Sequence, residues 1–205
     1  TVADAALLLG LLTGTDDTES KTSSIPAGLP DDYTQCLDKD GLKGKRIGFR
    51  KSQLNGPFEA VNELLKKSLE SLKEKGAEIV EFDDTLKNEV GDAEYEVLLY
   101  EFKDGLNKYL STANARVKSL NDVIEFNKKN EDLAMPYFKQ EILEMAENKG
   151  DLNSREYKKA LKDSQEEARK FIDKLISKYR LDAICGVSYG PSWCTDFVNG
   201  DHFTG

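Results

Sequence analysis

Histidine is almost missing from this sequence. His202 is the only one in 205 residues, which excludes zinc sites built on several histidines and makes any Ser-His or Cys-His chemistry depend on that one ring. Cysteine is scarce too: Cys36, Cys185 and Cys194 are odd in number and share no metal-ligand spacing. That usage fits a reducing compartment, so the expected location is the cytoplasm and no metal or cofactor is expected. Long apolar runs are lacking. The longest, Ala5 to Leu12, contains Gly10 and falls far short of the ~20 residues that span a bilayer. No basic segment precedes it, so it does not read as a signal peptide, and no membrane is expected as a partner. Basic charge is also short, with 29 Lys and Arg against 38 Asp and Glu for a net charge of −9. Nucleic acid is therefore not an expected partner, because its affinity comes largely from cations on phosphates. The one basic cluster, Lys43, Lys45, Arg46, Arg50 and Lys51, reads as a solvated strand margin, with an anion contact as the alternative.

What is present is the composition of a soluble, helix-rich globular chain, 39% hydrophobic and 33% charged. The length suits one domain or two small ones and allows roughly 70% of the unfolded surface to be buried. Thr1-x-x-Asp4 has the form of a capping box, and Ala3 to Leu12 is rich in helix formers. A native protein seldom begins on a helix cap, so a segment of something longer is expected. Thr15 to Asp40 is polar and rich in turn residues and reads as an extended surface connection over residues 15–40.

Beyond it the pattern predicts a strand over 46–50. A helix follows, opened by Asn55 and Pro57, with Val61, Leu64, Leu65, Leu69 and Leu72 on one face, and then a strand over 77–82. This is a βαβ unit whose strands should be parallel. The middle is helical. Ala93–Leu110 presents Val97, Leu98, Phe102, Leu106 and Leu110, with Tyr100, Phe102 and Tyr109 as core and rim. A short helix is capped at Ser119, and Pro136–Ala146 presents Phe138, Ile142, Leu143 and Met145. Asn153-x-x-Glu156 opens the longest helix, to about Tyr179, with Tyr157, Leu161, Ala168, Phe171, Ile172, Leu175 and Ile176 inward. Leu181–Val187 is continuously apolar and reads as a strand buried on both sides. The fold class is α/β. Three strands make a poor sheet, so further strands of a larger mixed sheet are expected outside these residues.

Few constellations carry chemistry. Gly186-Val187-Ser188-Tyr189-Gly190 matches G-x-S-x-G after a strand, and Asp196 and His202 follow in the order of a hydrolase triad. They fall within fourteen residues of Ser188, and Gly190-Pro191 disfavours the helix that the motif requires, so a strand-to-loop turn is the better reading. Gly41-x-x-Gly44-Lys45 lacks phosphate-loop spacing, and Asp38-Lys39-Asp40-Gly41 lacks the acidic residue that closes a calcium loop. Asp83-Asp84 reads as a solvated turn, since neighbours on a strand point to opposite faces.

Five stretches resemble the amidase signature family, serine amidohydrolases that cleave carboxylic amides. Thr1-Val-Ala-Asp-Ala-Ala-Leu-Leu-Leu9 is similar to the helix that closes the signature region. Leu42-Lys-Gly-Lys-Arg-Ile-Gly48 is similar to the strand after the variable connection. Glu96–Leu110, Met135–Ile142 and Gly190–Gly205 resemble one group of these amidases. The resemblance implies a large mixed sheet covered by helices on both faces, of which residues 1–205 would be one incomplete, C-terminal part. It also implies a Ser-Ser-Lys catalytic set upstream of Thr1. No Gly-Ser-Ser run exists here to receive it, so no catalytic residue is assigned.

The resemblance makes the terminal loop the expected place of substrate contact. Trp193 offers an apolar wall, and Asp196, Asn199 and His202 offer polar groups. The alternative is that these residues only pin a loop. The expected function is the scaffold and part of the cleft wall of an amidase acting on small-molecule amides. The chain is expected to be inactive alone and able to form a homodimer through surface the missing part would cover. A standalone acidic helical interaction module is the competing function.

Overall fold

The structure, a computed structural model, describes residues 1–86, 88–198 and 200, apart from the side chains of Ser20, Asn88 and Glu89. The βαβ unit forms as the alternation predicts. Strand β1 (Arg46–Arg50) pairs in parallel with β2 (Glu78–Phe82), Ile47 lying opposite Ile79. Helix α2 (Glu59–Glu74) joins them. It starts later than Asn55 and Pro57 suggest, because Lys51–Asn55 coils into a 3-10 turn. Asn62 then reaches back to both the N–H and the C=O of Gly56, at 3.1 and 2.9 Å. One face of α2 meets one face of the sheet: Leu65 and Leu69 pack on Phe49, with Leu72, Ile79 and Cys185 around them. Leu64 turns away and is exposed.

Strand β3 (Ala183–Cys185) pairs in parallel with the other side of β1, giving the order β2-β1-β3. It corrects the expected strand twice. It is three residues long, and it is not buried on both sides: Ala183 is exposed and Ile184 is 39% exposed. Among the described residues nothing pairs with its outer edge, so an apolar run alone did not secure burial. Its entry is fixed by Leu181, whose side chain lies where a Cβ on Gly48 would stand, 2.4 Å away. Asp182 accepts from the Arg46 N–H at 2.8 Å and from Lys45 at 3.1 Å.

The basic cluster is thereby largely accounted for. The Arg46 guanidinium donates to the carbonyls of Tyr179 and Arg180 at the end of the helix Arg155–Tyr179, where cations and C-terminal carbonyls attract. Lys43 and Lys51 pair with Asp40 and Glu81.

Helix α1 (Val2–Leu11) has its capping box, Thr1 Oγ1 accepting from the Asp4 N–H at 3.2 Å, but buries none of its residues. Two 3-10 turns, Ser20–Ser24 and Tyr33–Cys36, interrupt the connection that follows, and the second packs on α1.

The helical layer comprises α3 (Asn88–Thr112), α4 (Leu120–Lys129), α5 (Glu131–Ala134), α6 (Glu141–Glu147) and α7 (Arg155–Tyr179). Ser119 caps α4 as expected, and α7 is capped by Ser154 in place of Asn153. Helix α3 buries only part of the stripe its spacing offers, with Tyr100 buried as expected. Leu99, Leu106 and Leu110 face α4 and α6 or lie in the interior, whereas Leu98 is 58% exposed and Phe102 and Tyr109 are exposed. The reason is that α3 packs on α7 as well as on α4 and α6, and Lys103 donates to the carbonyls of Glu147 and Lys149 that end α6.

Pro136–Ala146 is not one helix; only Glu141–Glu147 is helical. Gln140 is buried, its amide donating to the Ile124 carbonyl at 3.2 Å and accepting from Asn127 at 3.0 Å. Those bonds tie 135–140 across α4 as a non-helical strap.

The second face of the sheet meets the end of α7 through Phe82 and Tyr179, whose ring centroids are 5.9 Å apart. Asp84 is no solvated turn residue. It accepts from the Tyr179 hydroxyl at 2.7 Å and from Lys178 at 2.9 Å, and these bonds hold its carboxyl below the ordinary value of 3.8. A lowered carboxyl stabilises the fold above the unfolded value and loses that contribution as pH falls through the folded one. Asp84→Asn should therefore melt earlier than the parent near neutrality, with the gap closing as pH falls below about 4. Thermal melts across that range check this; a gap independent of pH contradicts it.

Candidate functional site

After β3 the chain runs through Gly186–Gly190 as a loop, and among the described residues no helix follows. The G-x-S-x-G run is thus not a nucleophile elbow, which requires a strand-turn-helix. Ser188 and Tyr189 instead border an open groove of about 480 Å3 walled by Val61, Leu64, Leu65 and Leu69 of α2. Cys185, part-way down that wall, is a free thiol that burial pushes above its ordinary pKa. That is the setting of an inert thiol rather than a nucleophile.

The expected contact loop comes next. Trp193 is partly exposed. Asp196 builds a tight turn: its carboxylate accepts from the Val198 N–H at 2.7 Å, and its backbone exchanges bonds with Gly200 at 2.9 and 3.2 Å. Asn199 and His202 lie outside the described residues. The turn presents Phe197, which stacks on Tyr137 with centroids 4.4 Å apart and lies 6.4 Å from Phe138. The loop and the 135–140 strap, some sixty residues apart in sequence, therefore meet through aromatic rings. Beneath the strap lies a cavity of about 540 Å3 lined by Asn127, Met135, Pro136, Tyr137, Phe138 and Gln140.

Sequence reasoning missed Tyr137 and Phe197 and put Phe138 inside a helix; in the structure Phe138, Ile142 and Met145 are exposed. The available signal was the pair of aromatics directly after Pro136, which ends regular helix before it. A partly open, mostly apolar recess with a few amides is suited to hold an organic group and orient a carbonyl or N–H. Among the described residues no three His, Cys, Asp or Glu gather as metal ligands.

Comparison with known proteins identifies the family. The family model described as Amidase matches residues 1–193. The chain belongs to the amidase family. A protein of Arabidopsis thaliana named Probable amidase is 34% identical over 90% of the chain. The native peptide amidase of Stenotrophomonas maltophilia superposes on 94% of the chain with a TM-score of 0.85 at 34% identity. A glutamyl-tRNA(Gln) amidotransferase component from a Cyanothece species is 42% identical over 39% of the chain. The chain spans 36% of the Arabidopsis protein, 40% of the Stenotrophomonas amidase and 16% of the Cyanothece protein. Amidase membership and the helix-rich α/β fold, 55% helical with its small parallel sheet, thus agree with the resemblance read from the sequence. The adjacent serine pair of this chain, Ser23-Ser24, follows Thr22 and not glycine.

Proposed function

We propose that this chain is the C-terminal portion of an amide hydrolase, that it supplies scaffold and part of the substrate-cleft wall, and that it is catalytically silent alone. The carrying observation is a mismatch. The amidase match runs through 193 residues, yet those residues hold no Gly-Ser-Ser run, and their one G-x-S-x-G serine sits on a loop beside apolar side chains. Amide cleavage needs a nucleophile with its base in reach and donors aimed at the oxyanion. The outer edge of β3, unpaired among the described residues, and the exposed leucines of α1 are where the remaining part of the hydrolase would seat. The free state of the three cysteines supports placement in a reducing cytoplasm.

The cleft wall is the loop 193–200 with the 135–140 strap, and the substrate is a small-molecule amide whose apolar part lies against Trp193 and the Tyr137–Phe197 stack. In the longer protein carrying this segment, Trp193→Ala should raise KM about tenfold while kcat holds, the mark of lost uniform binding. An unchanged KM for both Trp193→Ala and Phe197→Ala would mean that the loop is only pinned and touches no substrate.

A further inference from the structure

The residues lining the cavity beneath the 135–140 strap carry an uneven charge. Lys139 is the one cation among them, and Glu131 neutralises it in an ion pair. Glu141 is the one carboxylate among them, and it has no ion-pair or hydrogen-bond partner among the described residues. Glu144, on the same turn of α6, is by contrast paired with Lys128 at 3.2 Å. The loop that meets the strap brings no cation either, since residues 181–205 contain neither Lys nor Arg. Aromatic rings share the cavity with Glu141. Tyr137 and Phe138 line it, and Phe197 stacks on Tyr137. A stack covers one face of a ring, and Tyr137 remains 61% exposed, so its other face is open. Such a face is negative and attracts an organic cation. The volume of about 540 Å3 is that of a site for one small organic ligand.

We propose that this cavity binds an alkylammonium group, its charge met by Glu141 and its carbons by Tyr137 and Phe138. A neutral apolar group leaves the Glu141 charge without a counter-charge, and a carboxylate is repelled by it. The inference deepens the reading of strap and loop as cleft wall and rests on it for one point, that the cation is an arm of the substrate amide.

The test is a titration of the full 205-residue chain with butylammonium and, separately, with 1-butanol and butanoate, followed by amide chemical shifts. Butylammonium should give saturable shifts at residues 137, 138 and 141. It should bind roughly tenfold tighter than 1-butanol, the scale of one cation–π contact together with an exposed ion pair, and butanoate should bind weakest. Glu141→Gln should narrow the difference between butylammonium and 1-butanol to about threefold. Tyr137→Leu, which keeps an apolar wall and removes the ring, should narrow it as well. One variant lies on a helix and the other on the strap, so either carries the test if the other fails to fold. 1-Butanol binding as tightly as butylammonium overturns the cationic assignment, and absence of saturable shifts with butylammonium overturns the site. Binding is read here without hydrolysis, so a failed titration leaves the cleft wall to its own KM measurements, and unchanged KM values there leave this cation site standing.

Discussion

Phe49→Ala should cost about 3–5 kcal/mol, the range for removing a fully enclosed phenylalanine. The side chain is 2% exposed, and it is where β1, α2 and β3 converge, touching the cluster of Leu65, Leu69, Ile79 and Cys185. Truncation leaves a cavity that two helix leucines and a short strand cannot collapse into, because β1 is held on both sides by its neighbours. A loss of that size is a large fraction of the ~5–15 kcal/mol that holds a domain together. The urea midpoint should fall steeply with little change in slope. Phe102→Ala is the control: it is the same truncation on an exposed position of α3, expected to stay within about 0.5 kcal/mol. Equal losses from both would contradict the placement of the core.

The second large effect concerns α1. A helix apolar all round is one that belongs in an interior, yet Leu7, Leu8 and Leu9 are about half exposed and Leu11 is 76% exposed. The chain alone should therefore self-associate. Burying a leucine fully is worth about 1.5–3 kcal/mol, so Leu8→Lys with Leu11→Lys should weaken association by roughly 10²–10⁴-fold. Sedimentation across a concentration series reads this directly. A native chain that remains monomeric at high concentration, or a double variant that associates as strongly, would show that this helix face needs no cover.

The parts of the fold legible in the sequence are those set by local rules. Alternation over 46–50 and 77–82 separated by one helix leaves a parallel pair as the economical arrangement, and Ser119 marks its helix start by the side chain that a cap needs. The rest needs knowledge of neighbours. From Leu110 and Leu106 an apolar stripe on α3 can be drawn back through Phe102 and Leu98 or through Leu99. Only the packing of α3 against α4, α6 and α7, with Lys103 ending α6, selects the second. The strap at 135–140 reads as helix because its apolar spacing is helical, while the deciding bonds come from Gln140 to α4.

The site shows the same division. Trp193 and Asp196 can be named because the loop resembles one in a known family, and the ability of Asp196 to hold a turn is a property of Asp itself. The Tyr137–Phe197 contact joins segments sixty residues apart, and no local pattern announces such a meeting.

Amide hydrolysis by these 205 residues alone, measured beside a longer protein that carries them, separates a silent cleft wall from a working enzyme. The chain alone should give no turnover above the uncatalysed rate, and the longer protein should give turnover that Ser188→Ala leaves intact. Turnover by the chain alone that vanishes with Ser188→Ala would place the chemistry here and contradict the proposed silence.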